Sequence, residues 1–210
     1  MSEKLEIYDL NENLIEIKDR VEFYKEIKSE FKKSKKISKQ VKRIILLLLN
    51  SNGKIILQKR NYSKKENAGL FDKTIGGHVE EGDSYELTLI KECSEELGFP
   101  VSILSKKDFS RALKKIDLRI IGLLKEIDYQ SNFLSTRISK ENEKFVQPYM
   151  QTIYMGYYDG PIEFIDGESS GIQMYTPEEL ETEIKNNANL FTEDLKIMFK
   201  LYKDFLVSIK

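Results

Sequence analysis

Apolar and polar positions change over in short blocks along this chain, and the blocks predict strands and helices in mixed order. Residues 4–9 and 14–18 read as two short strands around Asn11-Glu12-Asn13, a hairpin turn. Tyr24, Ile27 and Phe31 follow at helical spacing and predict an amphipathic helix over 21–34. Strand 41–49 meets strand 54–59 across Ser51-Asn52-Gly53, because Asn-Gly between apolar runs is a strong turn signal. The unbroken apolar run at 44–49 predicts a central strand covered on both faces.

Residues 61–69 are polar and read as a loop, and an extended piece at 72–76 leads into Gly76-Gly77. A loop at 77–83 then feeds a helix at 84–97, which Gly98 ends and Pro100 keeps from continuing. Ile116, Leu118, Ile120 and the apolar positions to Leu124 suit a strand. Residues 126–148 are polar, with scattered apolar positions, and read as an insertion or long loop. Strands are expected at 151–158 and 161–165, on either side of Asp159-Gly160. Thr176-Pro177-Glu178-Glu179 supplies a cap, a proline at N1 and a glutamate at N3 for a helix over 177–185. Thr192 caps a last helix at about 193–207, whose packing face holds Leu195, Met198, Phe199 and Phe205. The elements together predict an α/β domain in layers over 41–210, with the hairpin and helix of 1–40 packed against it.

Composition narrows the chemistry. The chain has 210 residues, enough for a large core without staples. Its single cysteine, Cys93, excludes an intrachain disulfide and suits a reducing compartment. The first ten residues lack the apolar run of a signal peptide, so cytoplasmic residence is expected. The six-residue run at 44–49 is too short to cross a membrane. A net charge of −1 implies no general affinity for nucleic acid. From Asp19 to Arg43, however, ten Lys/Arg stand against four Asp/Glu, a local charge of +6. That segment reads first as a solvated helical face, and second as an attractor for a polyanionic ligand. With only one histidine, His78, a multi-histidine metal site within the chain is excluded. Metal chemistry must then rest on carboxylates, which favour Mg²⁺, or Mn²⁺, over zinc.

The carboxylates are concentrated in one place. Glu92, Glu95 and Glu96 fall three and four residues apart on the helix of 84–97, with Leu87, Ile90, Cys93 and Leu97 as its apolar side. Three clustered carboxylates repel one another, and the last turn of a helix is the wrong end for negative charge. A divalent cation relieves both penalties. Gly76 and Gly77 allow a ligand to approach the backbone closely, with His78 beside them.

The segment from Gly77 to Phe99 resembles the signature of the Nudix hydrolase family. Gly77, Asp83, Lys91, Glu92, Cys93, Glu95, Glu96, Gly98 and Phe99 stand at its spacings, with Asp83 and Lys91 in place of the usual glutamate and arginine. The resemblance implies an α/β/α sandwich around a mixed sheet and metal-dependent hydrolysis of a small-molecule diphosphate, with a nucleoside diphosphate derivative as the expected substrate. It carries the role of metal ligands onto Glu92, Glu95 and Glu96, and motif support onto Asp83 and Lys91. Gly76, Gly77 and His78 are expected to form a substrate loop, Arg60 is a candidate phosphate contact, and a homodimer is compatible with this reading. Tyr62, Tyr85, Tyr154, Tyr157 and Tyr158 are candidates to stack on a base. A weaker likeness in layout, including Phe191-Thr192-Glu193-Asp194, points to isopentenyl diphosphate isomerase-like members. Their chemistry implies several histidines and a separate catalytic cysteine, which this chain lacks. The other alternative is a catalytically weak nucleotide-binding regulatory module on the same scaffold.

Overall fold

The computed structural model describes residues 3–163, 167 and 169–210. Its elements in chain order are β1 (Lys4–Asp9), β2 (Leu14–Asp19), α1 (Arg20–Ser34), β3 (Lys39–Leu49), β4 (Ile55–Arg60), β5 (Phe71–Asp72) and β6 (Ile75–His78). Then come α2 (Tyr85–Glu96), β7 (Val101–Ile103), α3 (Lys106–Ala112), β8 (Gly122–Ile138), β9 (Lys144–Tyr157), β10 (Ser169–Tyr175), α4 (Pro177–Asn186) and α5 (Glu193–Tyr202). Among the described residues, the ten strands join one mixed sheet with the central order β10-β4-β3-β9-β8-β7.

β3 organises the sheet. It runs parallel to β9 from Val41 to Leu49 and antiparallel to β6 and β1 over its first half. Its side chains alternate between two cores, as the period of a strand requires. Ile45, Leu47 and Leu49 join Leu180, Leu195 and Met198 from α4 and α5 on one face. Ile44, Leu46 and Leu48 join Leu89, Cys93 and Leu97 from the α2 side on the other. Helices thus cover both faces, the predicted α/β/α sandwich. A third core joins Leu5, Ile7, Phe23 and Ile27 to Val41, Phe145 and Tyr149. The N-terminal hairpin and helix therefore share the sheet and its core, and a boundary at 40/41 falls inside β3.

Several expectations need correction. The Ser51-Asn52-Gly53 turn forms, with Gly53 at φ +80°, but β3 and β4 pair only at Leu49–Ile55. Beyond that point they part around Thr74, whose hydroxyl accepts from Leu48 N–H at 3.0 Å and donates to Ile56 C=O at 2.5 Å. Residues 126–148 are not a loop: they are most of a long antiparallel β8–β9 hairpin turning at 139–143. Its polar side chains hid it, since the period-2 signal needs an apolar face, whereas Ser135 and Gln147 are buried as polar groups. Residues 116–120 form turns after α3. The strand expected at 161–165 is absent from 161–163, its last two positions lie outside the described residues, and β10 starts at Ser169. Phe205 lies beyond the end of α5 and is exposed.

The capping predictions fare better. Thr176 and Glu179 form a reciprocal capping box with Pro177 in the first turn of α4. Gly98, at φ +74°, takes the left-handed position just past α2.

The Thr74 bridge yields a test. Thr74→Val keeps the shape but leaves a buried N–H and a buried C=O without their partner. Removing such a bridge should cost about 2 kcal/mol in chemical denaturation, with the far-ultraviolet circular dichroism spectrum unchanged. A loss under about 0.5 kcal/mol would show that the strands part for another reason.

Candidate active site

Where β3 and β4 part, a polar cleft of about 280 Å³ opens. The alternation of β3 aims Arg43 at it, as the next position after Ile45 on the α5 face. Arg43 is only 4% exposed. Its Nε donates to Gln151 Oε1 at 2.8 Å, and its Nη1 donates to Asp194 Oδ2 at 3.0 Å and Ser135 Oγ at 3.3 Å. The guanidinium lies 4.1 Å from the Tyr149 ring centroid, within cation–π range. Arg43 Nη2 and Asp194 Oδ1 are buried without a hydrogen-bond partner among the described residues. Leaving such atoms unmet is costly, so this pair marks a place where a ligand or water completes the bonding.

Asp72 and Lys73 extend the network. Lys73 Nζ sits 3.2 Å from Asp72 Oδ1 and 4.0 Å from Asp194 Oδ2. Thr192 caps α5 and donates to Asp72 Oδ1 at 2.8 Å, which fixes α5 against β5. Burial pushes the Asp72 carboxyl up, but the Lys73 and Arg60 charges and the Thr192 bond outweigh it and hold the carboxyl at about 2. Burial drives Lys73 down from its ordinary value. Arg60 Nη1 reaches Asp72 Oδ2 at 3.6 Å, while its Nε and Nη2 donate to Glu66 C=O.

The opposite wall is α2. Glu92, Glu95 and Glu96 all line the cleft, with Glu95 exposed and the other two half-buried. Their placement shows which face of α2 is inward. Thr88, Leu89, Cys93 and Leu97 are buried, whereas Leu87 and Ile90 are 43% and 44% exposed. The expected apolar side was therefore rotated: turning Leu87 and Ile90 inward would carry Glu92 and Glu96 away from the cleft. Burial pushes the Cys93 thiol well up, with Glu96 and Glu92 adding to the effect, so Cys93 is packing material.

Gly76, Gly77 and His78 line the cleft but belong to β6, not to a loop, because they pair with Ile45, Ile44 and Arg43 of β3. Glycine at 77 has a steric cause: a Cβ there would stand 1.9 Å from Glu92 Oε1. At Gly76 a Cβ would stand 2.6 Å from Lys73 Cε. The two glycines let a carboxylate and a lysine lie against opposite sides of one strand. His78 Nε2 is 2.6 Å from the Tyr24 hydroxyl and is occupied by it. Burial and the charges of Arg20, Arg137, Arg43 and Lys73 push its pKa well below the ordinary value, so the ring is neutral. Asp83 and Lys91 pair with each other at 2.6 Å across the start of α2.

Tyr154, Tyr157 and Tyr158 are core residues and cannot stack on a base, and Tyr158 itself stacks on Phe99 at 3.7 Å. Tyr62 and Tyr85 are outside the cleft lining. Sequence reasoning missed Arg43, Asp72, Lys73 and Arg137 as cleft residues, because no spacing links them. The one available signal is Arg43 standing immediately before the apolar run 44–49 of a strand.

Glu92, Glu95 and Glu96 are all oxygen donors, the chemistry that suits Mg²⁺ or Mn²⁺. Among the described residues, no three His, Cys, Asp or Glu side chains are already gathered to hold an ion. The cradle at Gly77 still keeps room for the Glu92 carboxylate beside the strand. The carboxylate wall and the cationic floor of Arg43, Arg60 and Lys73 therefore suit a bound cation together with a polyanion.

Residues 39–195 match the NUDIX domain family. Over 59 residues the chain is 37% identical to an uncharacterized Nudix hydrolase of Pseudomonas aeruginosa, covering 28% of this chain and 35% of that protein. Over 58 residues it is 31% identical to an isopentenyl-diphosphate Delta-isomerase of Salmonella arizonae, covering 28% and 32% respectively. The matched segment thus spans about a third of the length of these curated relatives. A crystal structure of a Deinococcus radiodurans protein superposes with a TM-score of 0.60 at 18% identity, covering 95% of this chain and 98% of that one. A bifunctional NMN adenylyltransferase/ADP ribose pyrophosphatase of Francisella tularensis, complexed with AMP and manganese, gives 0.52 at 14% identity, covering 89% and 47%. At such identities the two structures show a shared fold.

The sole histidine makes a clean pH experiment. The unfolded chain binds a proton at His78 near pH 6.5, while the folded chain resists it. The stability from this group is complete above about 6.5 and is lost as pH falls below it. About 1 kcal/mol should disappear per pH unit between about 6.5 and 5.5. His78→Gln should flatten that part of the pH–stability curve, and an imidazole signal titrating normally in the folded protein would refute the neutral assignment.

Proposed function

The chain belongs to the Nudix family, and on that premise we propose that it is a Mg²⁺-dependent hydrolase cleaving the diphosphate linkage of a small molecule, a nucleoside diphosphate derivative in the first instance. One observation carries this reading: a single cleft sets the three motif glutamates on one wall against Arg43, Arg60 and Lys73 on the other. A diphosphate matches that division, with its oxygens shared between the cations and a metal ion.

Glu92, Glu95 and Glu96 would hold Mg²⁺, with Mn²⁺ as the alternative. When bound, the ion supplies charge neutralisation at the phosphoryl oxygens and a water of lowered pKa. The chain's own residues do the rest. Arg43, fixed by Gln151, Ser135 and Asp194, has Nη2 buried without a partner among the described residues, and a phosphoryl oxygen seated beside it would supply one. Asp194 Oδ1, an acceptor on the same wall, suits a water rather than a phosphoryl oxygen. Hydrolysis forms one P–O bond to the water oxygen, breaks one bridging P–O bond and leaves two phosphate-bearing products.

Isomerisation of an isopentenyl diphosphate finds no support, because Cys93 is fully buried in the core under α2 and His78 is the chain's only histidine. Cytoplasmic residence belongs to the same proposal. Among the described residues, no helix is long and apolar enough to cross a membrane. A homodimer is also part of it, supported by the exposed Leu14, Ile15 and Ile17 of the edge strand β2, and light scattering decides it.

Turnover of a panel of nucleoside diphosphate derivatives with Mg²⁺, with both products identified by mass, is the direct test. Glu92→Gln, Glu95→Gln and Glu96→Gln should each lower kcat by roughly 10² or more, with melting temperatures held or raised as carboxylate repulsion is relieved. Wild-type kcat in all three variants, or turnover independent of divalent ions, would sink the proposal.

A further inference from the structure

A second and larger cavity, about 810 Å³, lies beside the cleft. Its walls are α1, the loop around Lys65 and the tip of the β8–β9 hairpin. Seven cationic side chains and three carboxylates line it, in a chain whose net charge is −1. One carboxylate, Glu66, is already committed, to Lys28 at 2.6 Å and to Arg137 Nη1 at 3.1 Å. Arg137 lines both cavities, so the two spaces share a wall. No carboxylate among the described residues is recorded in ion-pair range of Lys32, Lys65 or Lys144.

A solvated lysine face would be convex and would lack an apolar base. Here Phe31 and Phe145 meet edge to face at 5.3 Å inside the cavity, with Lys35 over one ring and Lys28 over the other. Phe145 is buried, and its partner on α1 is half-buried. The space is within the size range of organic ligand pockets. Its chemistry joins an aromatic base to ammonium groups that make no ion pair among the described residues, which suits a flat ring carrying a phosphate. α1 also precedes the NUDIX match at 39–195, so this wall is an addition to the family domain.

We propose that this cavity binds the nucleoside end of the diphosphate substrate, and that this end carries a further phosphate outside the hydrolysed linkage. The assignment to substrate rests on the diphosphate hydrolase reading, but occupancy of the cavity can be measured without it. Lys32 on α1 and Lys144 at the start of β9 face the phosphate, the half-buried Phe31, backed by Phe145, takes the ring, and Arg137 marks the passage to the cleft.

Adenosine 3′,5′-bisphosphate has no diphosphate linkage and serves as the probe, titrated calorimetrically into the full chain with EDTA present. Wild-type protein should bind it, with affinity falling as salt rises. Lys32→Glu/Lys144→Glu should weaken binding at least tenfold, whereas Glu95→Gln should change it less than twofold. Both lysines are exposed, so the double variant should fold normally. Absence of wild-type binding at millimolar probe, or equal binding by the double variant, would overturn the site. For any hydrolysed member of the substrate panel, the bisphosphate should raise KM and leave kcat unchanged, and an unaltered KM would overturn the link to substrate. A panel without turnover would defeat the hydrolase reading and, with it, the link to substrate, while the binding result would still decide the cavity.

Discussion

Strand β3 must satisfy four neighbours and two cores at once, and the cleft follows from how it does so. Its six apolar side chains from Ile44 to Leu49 are each at most 1% exposed. Burying one such side chain contributes about 1.5–3 kcal/mol before conformational entropy is counted. That fixes β3 at the centre, with β9 parallel along its length. β4 cannot stay paired to it, because β6 occupies the antiparallel edge at Arg43–Leu46. The strands separate at Thr74, and the separation is lined by whatever β3 presents next, which is Arg43.

A buried arginine is not explained by stability. Buried ion pairs lose more in desolvation than a well-packed apolar substitute would, and the Arg43–Asp194 pair still leaves one nitrogen and one oxygen unmet. The network around it is held by charge balance. Asp72 stays ionised at any ordinary pH because Lys73 and Arg60 offset its burial. Its stabilisation is complete above about pH 3.9 and fades only as pH falls toward 2. The floor of Arg43, Arg60 and Lys73 gathered around that carboxylate is suited to holding an anion, and the α2 carboxylates across the cleft are suited to holding a cation.

Much of this is legible in the sequence. The double-sided run at 44–49, the capping box at Thr176 and the stop at Gly98 each rest on local chemistry, and each stands. The motif glutamates were legible as a group because three- and four-residue spacings survive in any helix. What failed depended on surroundings. Leu87 and Ile90 look like core on a helical projection, but the cleft claims the neighbouring stripe of α2 and turns them to solvent. The β8–β9 hairpin looks like a loop because its buried Ser135 and Gln147 serve Arg43, Asp194 and Tyr149, and pattern reading takes polar positions as exposed. Asp72, Lys73 and Asp194 meet only after β5 and α5 are docked through Thr192.

Asp83 and Lys91 look like two separate losses when the motif is read residue by residue: a shorter acid and a base without arginine's planar fork. The structure makes them one event. Their side chains meet at 2.6 Å, so the turn before α2 remains tied to the second turn of the helix. A lysine ammonium needs only one carboxylate oxygen and tolerates a range of approach angles, so it can follow an acid that has drawn back by one methylene. Lys91 is half-exposed, and such a pair adds little to global stability. The contribution we propose for it is positional. The turn it restrains leads from His78 in β6 to Glu92 on α2, and those segments face each other where Gly77 leaves room for the Glu92 carboxylate. A pair that is weak in energy can therefore still set where the motif carboxylates stand, which is the quantity hydrolysis would depend on.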